Sequence, residues 1–259
     1  MKVWALPSLA ATPRAGPAMI EPMISALGRP DFARVALEAI QAGLVAGSWA
    51  VYQLWPGRAP RLHLSASRQA QDHTGECFAL YRDLGLYRAD ASFDAVRARH
   101  GFGAVVLCMH ADEAPSALHR EAIYRRHGMV ERLSVAERQP DGSVLALNVY
   151  HHQGQGCFDG RELDHFIDAA PCLLACVKRH LQWRAESRAD SPRERLQARC
   201  PGLTARELDV LERLLRGWSY EGIAADLGVS VATVKTYRAR AFARLGLHFK
   251  SELFAALRD

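Results

Sequence analysis

The strongest constraint on the fold is a series of helix caps near the C-terminus. Thr204, Ser219 and Ser230 each precede a run with apolar residues at helical spacing, and Gly217 and Gly228 follow the first two runs. A hydroxyl oxygen accepts hydrogen bonds from free N–H groups at a helix start, and glycine permits the left-handed conformation that ends a helix. The pattern predicts three short helices joined by tight turns, which is a helix-turn-helix arrangement.

The third of these helices is basic on the side opposite its apolar residues. From residue 231 to residue 250 the chain has five basic residues and no Asp or Glu. At about 3.6 residues per turn, Val234, Ala241 and Leu245 share one face. The opposite face carries Ala232, Lys235, Thr236, Ala239, Arg240 and Ala243. Small residues let the backbone approach base edges, so this helix is predicted to enter a DNA major groove.

The predicted DNA contacts divide by role. Lys235 and Thr236 are placed to contact bases, and Arg240 to contact a base or a phosphate. Arg238 and Arg244 project sideways toward phosphates, which supply affinity without sequence information. The predicted DNA-binding residues are Thr204, Ser219, Ser230, Thr233, Lys235, Thr236, Arg238, Arg240, Arg244 and Lys250. The alternative is a helical domain with a solvated charged face, and the basic charge, small residues and capped turn together favour DNA binding.

Residues 203–253 resemble the LuxR-type helix-turn-helix, a four-helix DNA-binding domain of transcription regulators. The matching residues are Thr204, Arg206, Glu207, Gly217, Ser219, Ile223, Ala224, Leu227, Ser230, Thr233, Val234, Lys235, Leu245, Gly246, Glu252 and Leu253. The resemblance implies a homodimer on an inverted-repeat site in double-stranded DNA, with Leu253, Phe254 and Leu257 of the fourth helix in the dimer contact. Gly222 departs from the family because an acid is usual there, so the second helix lacks a reciprocal cap.

The first 180 residues are predicted to mix helices and strands, so the whole chain is of the α+β class. Apolar patterns predict helices at 31–44 and 116–127, and strands at 49–55, 62–66, 104–109, 130–138 and 144–151. The sequence at 139–142, Gln-Pro-Asp-Gly, predicts a hairpin turn. A long helix starts at Asp159 and Glu162 with a capping box, and Pro171 is expected to kink or divide it. These elements predict an antiparallel sheet of about five strands with helices on its flanks.

We expect two domains and a linker. A polar segment interrupted by Pro192 suits an exposed linker at 185–200, between a regulatory domain at 1–184 and the helix-turn-helix domain at 201–259. The order of elements in the regulatory domain is similar to that of GAF and PAS sensors. Such sensors hold a small ligand between the sheet and irregular helices. The candidate ligand-binding residues are Tyr81, Tyr87, His110, Tyr124 and Asn148.

Other inputs are less favoured by the sequence. A phosphorylated receiver domain requires alternating strands and helices, and the hairpin breaks that order. An acyl-homoserine-lactone receptor has a Tyr-x-x-x-Asp-Pro stretch, which is missing although Trp49, Tyr52 and Trp55 are present. The N-terminal domain could instead only dimerise or dock a protein. An enzyme with a DNA-binding tail is a further alternative, but the chain has no G-x-S-x-G, Walker or H-E-x-x-H motif.

Composition limits the remaining possibilities. A net charge of +5 and a pI near 9.0 suit a polyanionic partner. The six cysteines form no C-x-x-C pair, and Cys172, Cys176 and His180 are more simply packed helix residues than metal ligands, so no cofactor or metal is predicted. No run approaches the roughly 20 apolar residues of a membrane span, and prolines interrupt residues 1–18, which disfavours a signal peptide. A cytoplasmic location is expected.

Overall fold

The computed structural model describes residues 1–6, 17–99, 103–189 and 191–256. The chain divides into two compact units, Met1–Leu181 and Gln182–Asp259. The first unit contains an antiparallel sheet with helices, and the second contains a group of helices, so the predicted α+β class is confirmed. Some residues on which predictions rest lie outside the described residues. They are Pro7 and Pro13, two of the prolines that disfavour a signal peptide, and Leu257, which is expected in a dimer contact. No described helix is both long and apolar enough to cross a membrane.

The sheet of the first unit has six described strands instead of about five. They are β1 (Lys2–Ala5), β2 (Ser48–Leu54), β3 (Arg61–Ser67), β4 (Val105–His110), β5 (Met129–Arg138) and β6 (Val144–His152). All neighbours are antiparallel, in the order β1-β4-β5-β6-β2-β3. The strand that the sequence did not predict is β1. Its four residues are too few to show alternation, and its pairing partner β4 lies about a hundred residues away in the chain.

The β5–β6 hairpin has the predicted turn. Gly142 has a φ of 80°, which favours glycine because a Cβ is strained there. The Asp141 carboxylate accepts a hydrogen bond from the Ser143 amide at 3.0 Å, and the Gln139 amide donates to the Ser143 carbonyl at 2.7 Å. The turn residues therefore fix the hairpin register that aligns β5 with β6.

Alternation along β2 places apolar residues on both faces of the sheet. Trp49 and Val51 pack into one core, whereas Ala50, Tyr52 and Leu54 pack into the other. The first core is closed by α1 (Pro17–Ser25), α2 (Phe32–Ile40) and α6 (Gly160–Ala189). The second is closed by α3 (Thr74–Asp83), α4 (Asp94–Arg97), α5 (Ala117–His119), the π-helix Arg120–Arg125 and 3-10 turns. Only this second, irregular side contains the cavity described below.

Helix α6 begins as predicted but is not divided at Pro171. The Asp159 amide donates to Glu162 Oε2 at 3.0 Å, and the Glu162 amide donates to Asp159 Oδ1 at 2.8 Å, which confirms the capping box. The helix continues through Pro171 to Ala189, so the prediction of a division is wrong. Fully buried Phe166 and Leu173 on either side of the proline anchor the helix. Their burial offsets the roughly 3 kcal/mol that an internal proline costs.

Part of the segment expected to be a linker, residues 185–200, is a helix of the second unit. It contains α7 (Pro192–Arg199), α8 (Ala205–Leu215), α9 (Tyr220–Leu227), α10 (Val231–Leu245) and α11 (Lys250–Ala255). Ser191 caps α7 by accepting from the Glu194 amide at 3.2 Å, and Pro192 occupies the first turn, where a proline is tolerated. Leu196 of α7 is fully buried in the core of this unit. The proline is therefore a helix start within the second unit.

Candidate functional site

The turn before α10 is built by the predicted caps. Ser219 Oγ accepts from the Gly222 amide and Ser230 Oγ accepts from the Thr233 amide, both at 3.1 Å. Gly228 ends α9 in the left-handed conformation with a φ of 64°. These caps fix where α10 begins, so they also fix which of its residues point away from the core.

Helix α10 has one buried and one exposed side. Val234, Ala241 and Phe242 are buried in the core of the second unit. The residues predicted to face outward are all exposed: Ala232, Lys235, Thr236, Ala239, Arg240 and Ala243. We call these six residues the outer face of α10. It presents two cations and three alanines without an acidic residue, so it can approach a polyanionic surface closely.

Lys235 lies close enough to the start of α9 for its charge to act on Glu221. Hydrogen bonds from the backbone amide of Glu221 and from Ser219 hold the pKa of Glu221 below its usual range, and the charge of Lys235 adds a smaller contribution. Thr236 Oγ1 donates to the Ala232 carbonyl at 3.0 Å, so its methyl group and remaining lone pair are available to a partner.

Several predicted DNA contacts have partners within the second unit. Arg244 Nη1 donates to Glu207 Oε2 at 2.9 Å, and Glu207 is only 2% exposed, so this arginine neutralises a buried carboxylate. The Arg238 guanidinium lies 4.1 Å from the centre of the Phe242 ring and donates to the His248 carbonyl. Both arginines therefore have partners within their own domain, and their contacts with phosphates stay a prediction.

The remaining predicted residues of this unit cap helices or are exposed. Thr204 caps α8 in a capping box with Glu207, and Thr233 Oγ1 lies 2.8 Å from Ser230 Oγ. Lys250 is exposed at the start of α11. Leu253 of α11, expected in a dimer contact, is fully buried in its own domain because it fills the core beside α8. The outer face of α10 is thus the main cationic surface that the structure retains from the prediction.

The first unit contains a cavity of about 270 Å³ between the sheet and the irregular helices. Residues of β2, β3, β5 and β6 form one wall, and residues of α3, the π-helix and the segment between β3 and α3 form the other. This location is the one expected for a ligand in a GAF- or PAS-like domain.

Two of the five predicted ligand residues line this cavity. Tyr81 and Tyr124 do, and Tyr87, His110 and Asn148 do not. Asn148 is fully buried and satisfied, because it accepts from Ser134 Oγ at 2.8 Å and donates to two backbone carbonyls. His110 instead caps a 3-10 turn by accepting from the amide of the residue two positions later. Tyr87 packs edge-on against Tyr81 with ring centres 6.3 Å apart.

The central polar residue of the cavity is Arg132 on β5, which the prediction missed. It lines the cavity and is only 2% exposed. Its Nη2 donates to Ser92 Oγ at 2.7 Å, and its guanidinium lies 4.9 Å from the centre of the Phe93 ring. Alternation could have located it, because Leu133 and Val135 occupy one face of β5 and Arg132, directly before Leu133, must point to the opposite face.

Asp90 compensates the charge of Arg132 through Ser92. The carboxylate accepts from Tyr81 Oη at 2.9 Å, from the Ser92 amide at 2.9 Å and from Ser92 Oγ. Burial alone would raise the pKa of Asp90, but the Arg132 charge and the Ser92 hydrogen bonds outweigh burial and hold that pKa below its usual range. The carboxylate is therefore ionised at neutral pH, and it lies behind the cavity wall instead of on it.

A second polar group at the wall is His119, whose burial makes stability depend on pH. Burial lowers the pKa of His119 from 6.5 to about 4, an effect that the charge of Asp90 only partly opposes. Above pH 6.5 the ring is neutral in the folded and unfolded chain, so its contribution to stability is complete. As the pH falls from 6.5 toward 4, the unfolded chain binds a proton that the folded chain excludes, which removes about 3 kcal/mol.

We therefore expect His119→Phe to reduce the loss of stability on acidification. Phenylalanine keeps a ring in contact with Tyr81 and Tyr124 but does not titrate. The free energy of unfolding of both proteins is measured with urea near pH 7 and near pH 4.5. It should fall between these two pH values by about 2–3 kcal/mol more in the wild type than in His119→Phe. Equal falls in the two proteins would show that His119 is not held neutral by the fold.

A family model described as bacterial regulatory proteins, luxR family, matches residues 201–256. A putative HTH-type transcriptional regulator in the exeN 3' region of Aeromonas salmonicida is 46% identical over 151 residues, which cover 52% of this chain and 76% of that protein. The transcriptional regulatory protein FixJ of Azorhizobium caulinodans is 40% identical over 81 residues, 31% of this chain. The match spans only 37% of FixJ.

Among solved structures, the chain is similar to a crystal structure of Escherichia coli SdiA. The TM-score is 0.45 and the sequence identity is 14%, over 92% of this chain and 94% of that one.

Proposed function

This chain belongs to the bacterial luxR family of transcription regulators, and we propose that a small molecule in its N-terminal cavity controls its binding to DNA. The observation that supports ligand control is the cavity itself, of about 270 Å³, with the buried cation Arg132 at its wall. A protein interior is normally close-packed, and a concave, mostly apolar space with a few polar groups is the usual form of a ligand site.

The DNA-binding part of the proposal is carried by the outer face of α10. We assign Lys235 and Thr236 to base edges and Arg240 to a base or a phosphate, because all three are exposed on that face. Arg238 and Arg244 have partners in their own domain, so we give them a structural role. The functional form is a homodimer on an inverted-repeat site in double-stranded DNA, as in the family. Because its target is chromosomal DNA, we place the protein in the cytoplasm.

Control of this kind requires that the ligand binds two states of the protein with different affinities. Residues 1–184 would sense the ligand and residues 201–259, together with α7, would bind DNA. A ligand that favours one state shifts the population toward it, and coupling of this type commonly changes the second affinity by about 5–150-fold.

The proposal is tested by filling the cavity. Ile123 lines the cavity and is 6% exposed, so Ile123→Trp places a larger side chain in the space that a ligand needs. In gel-shift titrations, extracts of the host culture should change the DNA affinity of the full-length wild type at least about fivefold. The same extracts should leave Ile123→Trp unaffected, while its affinity without extract remains measurable.

The matched control is Leu118→Trp. Leu118 lies in the neighbouring helix α5, is 55% exposed and does not line the cavity, so this variant should respond to extract like the wild type. A response of equal size in Ile123→Trp would remove the cavity from the mechanism. An unresponsive wild type would favour the alternative in which the N-terminal domain only dimerises or docks a protein.

A further inference from the structure

We propose that the cavity binds a small organic carboxylate whose anionic group contacts the Arg132 guanidinium. The inference rests on the proposed function, since it names the chemical class of the ligand that the cavity would hold. Three features of the first unit support it: the charge of the cavity wall, the unused hydrogen-bond donors of Arg132, and the shape and polarity of the remaining surface.

The described wall of the cavity carries a positive charge and no carboxylate. Arg132 is its only Lys or Arg among the described residues, and the described lining contains four histidines but no Asp or Glu. Asp90, the nearest compensating acid, is covered by Ser92 and Tyr81 and does not line the cavity. A ligand entering this space therefore meets a cation without meeting the carboxylate behind it. Such a surface favours an anion over a cation of the same size.

Arg132 also has donors that its protein neighbours leave unused. Its Nε is buried and has no hydrogen-bond partner among the described residues. Its Nη1 lies 3.5 Å from Tyr52 Oη, which is at the limit of a hydrogen bond, and the second contact of its Nη2 is a weak one, 3.8 Å from Met109 Sδ. Buried charges in proteins are normally paired with an opposite charge and fully hydrogen-bonded.

Asp90 meets this demand of Arg132 only in part, because it acts through Ser92 and does not contact the guanidinium directly. Its carboxylate already accepts from Tyr81 Oη, the Ser92 amide and Ser92 Oγ, and among the described residues it makes no direct ion pair with the guanidinium. A ligand carboxylate supplies an opposite charge in direct contact with the guanidinium and also the missing acceptors. A neutral carbonyl supplies only an acceptor, and a charge-assisted hydrogen bond is roughly twice as strong as a neutral one.

The rest of the wall suits an apolar body of limited size. Ala50, Phe78, Ile123 and Met129 contribute apolar surface, and the rings of Tyr52 and Tyr124 contribute aromatic surface. A volume of about 270 Å³ lies near the lower end of the roughly 300–1,000 Å³ that is usual for small-molecule sites. The ligand is therefore a small carboxylic acid, aromatic or short aliphatic.

The test compares acids with their own amides on the full-length protein. Phenylacetate, indole-3-acetate and octanoate are titrated by isothermal calorimetry near pH 7, each beside the corresponding amide. At least one acid should bind more than about tenfold more tightly than its amide, because only the acid places a negative charge directly against Arg132. This comparison uses the wild type, so it does not depend on a variant folding.

A substitution then assigns the contact. Arg132→Met keeps an unbranched apolar stem and should abolish the preference for the acid, whereas Arg125→Met, at an arginine 61% exposed on the π-helix, should leave it unchanged. Equal affinity for acid and amide, failure of all three acids to bind the wild type, or a preference that survives in Arg132→Met would each overturn the inference. None of these results touches the proposed function, which the extract response of Ile123→Trp decides independently.

Discussion

Replacing Asp90 with alanine is expected to lower the free energy of unfolding of the N-terminal unit by about 3–5 kcal/mol. Asp90 is 2% exposed and accepts hydrogen bonds from Tyr81 and Ser92. Its removal leaves these donors without an acceptor and leaves the Arg132 charge buried without compensation. Urea unfolding of the full-length chain, monitored by circular dichroism, should show that this unit unfolds at a lower urea concentration in Asp90→Ala than in the wild type.

The matched control for Asp90→Ala is Asp83→Ala. Asp83 is an exposed acid whose ion-pair partner among the described residues is neighbouring Arg82, so its loss should leave the midpoint unchanged. The wild-type advantage over Asp90→Ala should also shrink in acid. The pKa of Asp90 is lowered from 3.8 in the folded state, so the stability from its ionisation is complete above that pH and disappears as the pH falls through the folded value. A midpoint for Asp90→Ala close to that of the wild type would contradict the charge network.

The second large effect is expected for Lys235→Glu, which should weaken specific DNA binding by on the order of 4 kcal/mol, or about a thousandfold. Lys235 is exposed on the outer face of α10, where a lysine donates to base edges or phosphates. A glutamate removes that contact and places a negative charge against the DNA. Gel-shift titrations of the full-length protein at one fixed salt concentration measure the change.

The control for Lys235→Glu is Arg125→Glu. Arg125 is 61% exposed and lies in the N-terminal unit, so this variant changes the net charge equally without altering the outer face of α10. It should bind DNA within about twofold of the wild type. Similar losses in the two variants would mean that overall charge, and not α10, determines affinity.

The helices of the DNA-binding domain could be predicted because their signals are local. Ser219, Ser230 and Gly228 each act within four residues of their own position, so a sequence window contains the whole interaction. The β5–β6 turn is similar, because Asp141, Gly142 and the Gln139–Ser143 hydrogen bond all lie within five consecutive residues. Local chemistry of this kind needs no knowledge of the tertiary fold.

Other features could not be predicted because a distant residue decides them. The carboxylate that pairs with Arg244 belongs to Glu207, which is 37 residues earlier in the chain. Pro192 starts α7 because the core of the second unit accepts Leu196, which composition alone does not reveal. In both cases, the role of a residue depends on another residue that is buried in the core: Glu207 for Arg244 and Leu196 for Pro192.

The position of the cavity was predicted from the sequence, but its central charged residue was not. Element order located it between the sheet and the irregular helices, and Tyr81 and Tyr124 were identified correctly as lining residues. Arg132 was missed because its partner Ser92 lies 40 residues away and its aromatic neighbours come from several elements. A buried arginine is recognisable only after the faces of the strand have been assigned, since the residue itself is usually exposed.

The central claim is that the outer face of α10 reads DNA sequence, and selection of binding sites from a random duplex library tests it most directly. The full-length wild type should enrich an inverted repeat. Lys235→Ala should bind that repeat about 1–3 kcal/mol more weakly and lose its base preference at one position of each half-site. No enriched sequence with the wild type, or the same base preferences from both proteins, would contradict the claim.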